Sequence, residues 1–159
     1  MNKKFSPFDS LGFLTNRVGR LLGKSIRKRI QDPEEETTFQ HIGILVDLWM
    51  QDGLRQQELA VSVIKDKATI ARKLDQLERQ NYVVRIPDEK DKRNKLIYLT
   101  HKGKALKEQL TPYMENALAD ATKDIDDEEI RICKSVLNRM YNNLSKKLQM
   151  QLNVNRELT

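Results

Sequence analysis

Apolar residues near the start of the chain recur at intervals of three and four, which predicts an amphipathic helix. This stripe comprises Leu11, Leu14, Val18, Leu21 or Leu22, and Ile26. Residues 7–10 carry proline, aspartate and serine in a helix-start pattern, and the Asp32-Pro33 pair should end the helix. The acidic run 34–36 is predicted to be a short connector that caps the helix after it.

Three further helical patterns follow in close succession. One covers about residues 39–51, with Thr37 or Thr38 as its cap. Residues 56–62 predict a short helix, and residues 66–80 a longer one that begins with an aspartate cap. The inward stripe of the longer helix comprises Ile70, Leu74 and Leu77. Because only a short break separates the last two helices, they form a tight helix-turn-helix.

The spacing of apolar residues then changes from helical to alternating. Residues 82–86 and 95–99 are rich in β-branched and aromatic side chains, which predicts two strands. The charged segment 87–94 joins them into a hairpin with a long tip. The order of helix, turn, helix, strand, tip and strand is that of a winged helix-turn-helix. The chain is therefore predicted to be mainly α with a small β-hairpin wing.

Two helices are predicted after the wing. Thr100 caps the first, and the Thr111-Pro112 pair should kink or interrupt it, because proline cannot donate the internal hydrogen bond. Asp126 begins the second, whose apolar stripe comprises Ile130, Cys133, Leu137, Met140, Leu144 and Leu148. A small winged domain cannot cover the stripes of the first and last helices. These helices therefore either pack on each other within one subunit or form a dimer interface.

The balance of charge adds to this picture. The 159 residues include 29 Lys and Arg against 23 Asp and Glu, and the net charge of +6 favours an anionic partner, such as nucleic acid or an acidic membrane. A merely soluble basic protein has the same balance, so the location of the charges must decide. No export signal or membrane span is visible, which predicts a cytoplasmic protein without membrane contact.

The sequence offers little for catalysis or metal binding. One cysteine excludes an intramolecular disulfide, and with two histidines it cannot build an ordinary structural zinc site. We find no glycine-rich phosphate loop and no nucleophile with a base, so neither an enzyme nor a cofactor is predicted. Cys133 lies on an apolar stripe and is predicted to be a buried structural thiol rather than a redox sensor.

The outward faces of the 66–80 helix carry the first set of candidate DNA contacts. Lysine and arginine can neutralise phosphates or bind guanine, and threonine and glutamine can contact base edges. This set comprises Lys65, Lys67, Ala68, Thr69, Arg72, Lys73 and Gln76. Asp75 and Glu78 lie farther along the helix, where contact with DNA should end. The alternative is an ordinary amphipathic helix with a solvated face.

The wing tip carries the second set. It comprises Lys90, Lys92, Arg93 and Lys95. A tip that enters a minor groove needs a long cation, preferably arginine. Asp91 is predicted to stabilise the tip by pairing with a nearby arginine or by accepting hydrogen bonds from loop amides. In isolation, such a charged run is equally typical of a solvated turn.

Four segments of the chain resemble the MarR family of bacterial transcriptional regulators. They are Gln57-Glu58-Leu59-Ala60, the segment from Thr69 to Arg85, Asp91-Lys92-Arg93, and Leu99-Thr100-His101-Lys102-Gly103. The resemblance implies a triangular homodimer, joined through the first and last helices, that places each longer helix in a major groove. It also implies that Arg93 enters the minor groove while Asp91 steadies the wing. Asn81 stands where the family often has glycine, and asparagine tolerates the left-handed conformation of such a turn.

With this resemblance, residues 1–36 are expected to form an N-terminal dimerisation helix, residues 37–100 the DNA-binding domain, and residues 101–159 the C-terminal dimerisation helices. Many relatives bind small phenolic or other aromatic acids between the dimer and DNA-binding parts. The candidates to line such a pocket here are Phe13, Trp49 and Tyr113. The leading hypothesis is a ligand-responsive repressor that binds an inverted repeat in double-stranded DNA as a homodimer. The alternative is a winged protein–protein interaction module.

Overall fold

The computed structural model of the chain describes residues 10–63 and 65–157, with side chains described through residue 146. The helices are α1 (Leu11–Arg27), α2 (Pro33–Phe39), α3 (Ile42–Met50), α4 (Gln56–Ser62), α5 (Lys67–Arg79), α6 (His101–Ala121) and α7 (Asp127–Glu157). The strands are β1 (Leu54–Arg55), β2 (Val83–Pro87) and β3 (Lys95–Leu99). The predicted start signal at residues 7–9 and the side chain of Leu148 lie outside the described residues.

The acidic connector predicted between the first two helices is itself helical. Asp32 accepts hydrogen bonds from two backbone amides of the acidic run, at 2.7 and 3.0 Å, and Pro33 suits the first helical position. Thr37 therefore lies inside α2 rather than capping a helix, and its hydroxyl donates to the Pro33 carbonyl at 2.8 Å. The predicted single helix over residues 39–51 is wrong at its start, because α2 ends at Phe39 and α3 begins at Ile42.

The helix-turn-helix pair and the sheet surround a single apolar core. Its most deeply buried side chains include Leu45, Leu59, Ile70, Leu74, Leu77, Ile97, Leu106 and Leu110. The predicted inward stripe of α5 is confirmed, because all three of its members are fully buried. Burial of each such side chain stabilises the fold by about 1.5–3 kcal/mol. The core therefore holds α5 by one face and leaves its other faces to solvent.

The three strands form an antiparallel sheet in the order β1, β3, β2. The predicted hairpin is confirmed, with Val83 opposite Leu99 at its base. β1 was missed by the sequence analysis, because two residues are too few to show an alternating pattern. The turn between α5 and β2 passes through Asn81 at a φ of 61°, which confirms that asparagine occupies a left-handed position there.

Helix α6 runs without interruption through Pro112, so of the two predicted outcomes, a kink or an interruption, the interruption is wrong. The missing proline N–H leaves only the Glu108 carbonyl without its helical partner, and Glu108 is exposed, so water can satisfy that carbonyl. The neighbouring Thr111 hydroxyl donates to the Lys107 carbonyl at 2.7 Å. A solvent-facing proline is therefore tolerated inside this helix.

The apolar stripes of α1 and α7 are open to solvent in the single chain. α1 has no buried residue, and the side chains of Leu21 and Leu144 are 63% and 61% exposed. Cys133 is also exposed, so the predicted buried thiol is wrong for the isolated protomer. The reason is that no other described element of the protomer covers this face of α7. Within the described residues, no helix combines the length and the apolar character that a bilayer crossing requires.

Candidate nucleic-acid interface

The start of α5 is held by a strong N-terminal cap. One carboxylate oxygen of Asp66 accepts the backbone N–H of Thr69 at 2.8 Å, and the other accepts the Thr69 hydroxyl at 2.6 Å. These two hydrogen bonds lower the pKa of Asp66 below its usual range. Lys67 and Ala68 lie in the first turn and are exposed, as is Lys65 just before it. The cap therefore gives the N-terminal end of α5 a defined direction toward solvent.

The structure brings together four of the predicted contacts on one side of α5. An open surface depression is lined by Thr69, Arg72, Lys73 and Gln76. A guanidinium nitrogen of Arg72 lies 3.4 Å from the Thr69 hydroxyl oxygen, and the Lys73 ammonium lies 3.4 Å from the Gln40 carbonyl oxygen. Two cations beside a hydroxyl and an amide are the groups that bind phosphate oxygens and the edges of bases in a major groove.

A buried histidine packs behind this face. His41 precedes α3, is only 6% exposed, and lines a small cavity with Lys65 and Lys73. Neither ring nitrogen makes a hydrogen bond within the described residues. Burial lowers the pKa of His41 below 6.5, repulsion from Lys73 adds to this, and the neighbouring Gln76 amide opposes it. The folded chain therefore holds this imidazole neutral against α5, the candidate recognition helix.

This burial gives a pH-dependent stability that can be measured. The unfolded chain takes up a proton on His41 below about pH 6.5, and the folded chain resists it. The stabilisation is therefore complete above that pH and is lost as the pH falls from there through the lower pKa of the folded chain, at up to about 1.4 kcal/mol per pH unit. We expect urea unfolding of the His41→Gln variant to depend less on pH between about 7 and 5.

The exposed His101 supplies a matched control for this prediction. The His101→Gln variant should keep the pH dependence of the unmodified chain. An equal pH dependence in the His41→Gln variant would show that another group is responsible.

The wing tip is tied into a defined turn by Asp91. Its carboxylate accepts the backbone N–H of Arg93 at 3.1 Å, the Arg93 Nε at 3.3 Å and the Asn94 side-chain amide at 3.0 Å. The Arg93 side chain is 92% exposed in this arrangement. Lys90, Lys92 and Lys95 are exposed as well. Asp91 thus makes both of the predicted kinds of contact: it pairs with an arginine and accepts hydrogen bonds from loop amides.

A second aspartate in the wing was missed by the sequence analysis. Asp88 accepts the backbone N–H of Lys90 at 2.9 Å and a guanidinium N–H of Arg55 at 3.0 Å, and these contacts lower its pKa. Its own N–H donates to the Asn94 carbonyl at 2.9 Å. This ion pair connects the base of the tip to the residue before α4. The signal available in the sequence was an aspartate directly after a strand-ending proline, where side chains often cap a turn.

Arg85 on β2 is the other residue that was missed. Its guanidinium group pairs with Asp75 at 2.8 Å and with Glu78, both on α5, and its backbone N–H donates to Glu78 at 3.2 Å. The two acidic residues predicted to mark the end of DNA contact are therefore held by the wing. The sequence shows the acidic pair and the arginine but not that they meet.

The three residues proposed to line a ligand pocket have different surroundings. The Trp49 indole N–H donates to the Gly103 carbonyl at 2.9 Å, and both Trp49 and Tyr113 pack against the edge of the core. Phe13 is half-buried on α1, with the guanidinium carbon of Arg17 at 5.4 Å from the centre of its ring. The indole N–H of Trp49 is thus already hydrogen-bonded within the protein.

Comparison with known proteins agrees with this architecture. The MarR family model matches residues 38–95. The transcriptional regulator SarZ of Staphylococcus epidermidis is 31% identical over 107 residues, which cover 66% of this chain and 67% of SarZ. The chain belongs to the MarR family. The resemblance noted in the sequence is thereby confirmed, and the chain is a transcriptional regulator of the winged helix type.

Solved MarR structures share this fold over most of the chain. CouR from Rhodococcus jostii, bound to p-coumaroyl-CoA, is 25% identical with a TM-score of 0.69, over 87% of this chain and 96% of CouR. A MarR regulator from Listeria monocytogenes in complex with 26mer DNA is 20% identical, with a TM-score of 0.74, over 91% of this chain and 95% of its own. These likenesses extend beyond the winged domain to the flanking helices.

Proposed function

We propose that this MarR-family chain is a ligand-responsive repressor that binds an inverted-repeat operator as a homodimer. The observation that carries the DNA-binding part is the position of its exposed cations. Arg72 and Lys73 of the recognition helix line one depression, and the wing that carries Arg93 is ion-paired to that same helix. The operator is contacted by the residues of the two sets predicted above, with Arg72 on base edges or phosphates and Arg93 in the minor groove.

The test of DNA binding begins with selection of bound fragments from genomic DNA. We expect the selected sequences to share an inverted repeat with half-sites roughly 34 Å apart. Affinity for the selected duplex should exceed that for random duplex at least about a thousandfold, and it should fall steeply with added salt. Equal affinity for both duplexes, or none for either, would favour the protein-interaction alternative.

The homodimer part rests on the open apolar faces of the flanking helices. On α1 they belong to Leu11, Leu14, Val18 and Leu21, and on α7 to Ile132, Leu137, Tyr141 and Leu144. Contiguous apolar surface of this kind is rare on a monomeric soluble protein, because each side chain left in water forfeits its burial energy. We propose that residues 1–36 and 101–159 form the interface between two copies and that residues 37–100 bind DNA.

A charge placed on this interface should separate the two copies. The Leu14→Glu and Leu144→Glu variants bury an unpaired carboxylate in the dimer, so each should raise the dissociation constant at least about tenfold. Sedimentation velocity over a range of concentrations measures this shift. The Met50→Glu variant is the matched control, because Met50 is 83% exposed on α3. A monomeric wild-type chain at all concentrations would contradict the proposed dimer.

The proposed effector is a small aromatic or phenolic acid. CouR, a relative of the same fold, was solved with an aromatic thioester, p-coumaroyl-CoA. In this chain, the aromatic residues proposed for the site are Phe13 on α1, Trp49 on α3 and Tyr113 on α6, and α1 packs against α6. An acid bound there would contact α6, which directly follows strand β3 of the wing. Release of DNA by such a ligand would make the repressor inducible.

The chain contains a single tryptophan, which makes the ligand proposal easy to test. Titration with hydroxybenzoates and hydroxycinnamates should change the fluorescence of Trp49 and weaken binding of the selected duplex over the same concentration range. A reporter gene behind the selected operator should be silenced by the chain and restored by the same acid. Activation of that reporter would contradict the repressor role.

A further inference from the structure

One side chain of the wing, that of Arg85, contacts three groups of the recognition helix. A guanidinium nitrogen of Arg85 lies 2.8 Å from an Asp75 carboxylate oxygen and 3.4 Å from the Ala71 carbonyl oxygen. The other terminal nitrogen of the guanidinium pairs with Glu78. Three groups on successive turns of α5 therefore converge on one residue of β2. A planar guanidinium suits this arrangement, because its donors point in fixed directions.

The surroundings of Arg85 make this contact stronger than an ordinary surface ion pair. The Arg85 side chain is only 15% exposed, whereas those of Asp75 and Glu78 are 50% and 38% exposed. The guanidinium group is thus largely removed from water, and its contacts with Asp75 and Glu78 offset the cost of that desolvation. The contact also continues into the backbone, because the Arg85 N–H donates to Glu78 on the open edge of the sheet.

The two attachments of the wing lie on different elements. Arg85 joins the middle of β2 to α5, and Asp88 joins the base of the tip to Arg55 before α4. A hairpin held only at its base could swing, because its tip has no apolar core of its own. With attachments at two separated points, the direction of the tip relative to α5 is determined by the protein before DNA arrives.

We propose that Arg85 is a positioning residue, which holds the wing at one fixed angle to the recognition helix so that both enter adjacent grooves together. This inference rests on the proposed DNA-binding function and adds a residue that does not itself contact DNA. Its physical basis is preorganisation: a wing that is already placed loses less conformational freedom on binding. Asp75 and Glu78 are then partners of Arg85 rather than only the end of the DNA-contacting face.

The first test uses the free protein. In the Arg85→Met variant, hydrogen exchange at the backbone amides of β2 and the tip should be at least about tenfold faster, while exchange in α4 and α6 stays the same. The matched control is Arg79→Met, which removes the same charge from the exposed end of α5, where Arg79 makes no ion pair with any described residue. Unchanged exchange in the wing of the Arg85→Met variant would overturn the proposal.

The second test is a double-mutant cycle on DNA affinity with Arg93→Ala. Arg85→Met alone should weaken binding to the selected duplex about tenfold, and Arg79→Met less than about twofold. If Arg85 acts by placing the wing, its loss should cost little once Arg93 has been removed, because the wing then has little left to contribute. Fully additive losses would show that Arg85 acts elsewhere and would overturn the proposal.

Two further comparisons keep the outcomes distinct. Arg85→Lys keeps the cation but cannot engage both carboxylates in the same planar geometry. It should therefore weaken DNA binding less than Arg85→Met does, and this smaller loss should also shrink once Arg93 has been removed. Arg85→Lys replaces Arg85→Met should that variant not fold. A wild-type chain that binds no duplex would contradict the proposed function. The exchange experiment would still decide whether Arg85 holds the wing.

Discussion

Alanine at both Arg72 and Arg93 should weaken binding to the selected duplex by about a hundredfold or more, because each well-placed arginine contributes about 1–3 kcal/mol. Arg72 is exposed on the recognition helix beside Thr69, and the Arg93 side chain is 92% exposed at the wing tip. The two residues belong to different elements and share no hydrogen-bond or ion-pair partner among the described residues, so their effects should add. Fluorescence anisotropy at physiological salt measures the loss.

The single variants Arg72→Ala and Arg93→Ala should affect DNA binding in different ways. Arg72→Ala should reduce the preference for the selected sequence if Arg72 contacts bases, whereas Arg93→Ala should weaken binding most where the minor groove is narrow. The control is the double variant Lys107→Ala with Lys123→Ala, which removes two exposed charges from outside the recognition helix and the wing. Unchanged affinity in the Arg72 and Arg93 variants would show that DNA is bound by another face.

Replacement of Gly103 by alanine should destabilise the fold by about 2–3 kcal/mol, because a methyl group has no space there. A Cβ at this position would lie 2.1 Å from the Tyr82 carbonyl oxygen and 3.1 Å from a Leu99 methyl carbon. The first of these atoms belongs to the backbone, so it cannot turn aside as a side chain can. The melting temperature should fall by roughly 5–10 °C.

The close contact between Gly103 and Tyr82 lies beside hydrogen bonds that join the start of α6 to the turn before β2. The Tyr82 carbonyl accepts the Thr100 N–H at 3.1 Å, and the Thr100 hydroxyl donates to the Asn81 carbonyl at 2.6 Å. The first turn of α6 is thereby joined to the turn that follows the recognition helix. Alanine in place of Gly103 should therefore also disturb DNA binding.

Gly19 offers the matched control for this substitution. It lies on α1 away from the apolar stripe of Leu14, Val18 and Leu21, and within one protomer a Cβ added there would meet no other described element within 4 Å, so Gly19→Ala should be neutral or slightly stabilising. Thermal and urea unfolding of both variants give the comparison. A Gly103→Ala variant as stable as the wild-type chain would mean that α6 can move away from Tyr82 without cost.

Elements with strong local signals were predicted well from the sequence. The recognition helix begins after Asp66 as expected, because an aspartate cap followed by a periodic apolar stripe is a signal confined to neighbouring residues. The hairpin strands were placed to within a residue or two for the same reason. The helix over Pro33–Phe39 was missed although its Asp32 cap and Pro33 are local signals, because the acidic run also suits a connector. The continuity of α6 through Pro112 depends on the exposure of the Glu108 carbonyl to water, which the sequence does not show.

The residues of the candidate site also differ in how far the sequence could predict them. Exposed cations such as Arg72 and Arg93 could be named from helical and hairpin geometry, which decides which side chains point outward. The supporting contacts of Arg85 and Asp88 could not, because each joins residues that are distant in sequence or belong to different elements. The exposure of Cys133 was also unpredictable from its stripe, since a stripe does not say whether its partner is the same chain or another.

By itself the sequence determined the winged helix-turn-helix, the longer helices on either side of it and the charges that face outward, because caps, apolar period and turn residues act over a few neighbouring positions. Only the tertiary structure decided how the wing is held against the recognition helix and how α6 is joined to the turn behind it. Those features arise where separate elements meet at atomic distances, as Arg85 meets Asp75 and Gly103 meets Tyr82. Contacts of this kind depend on the packing of the whole core, which no local pattern contains.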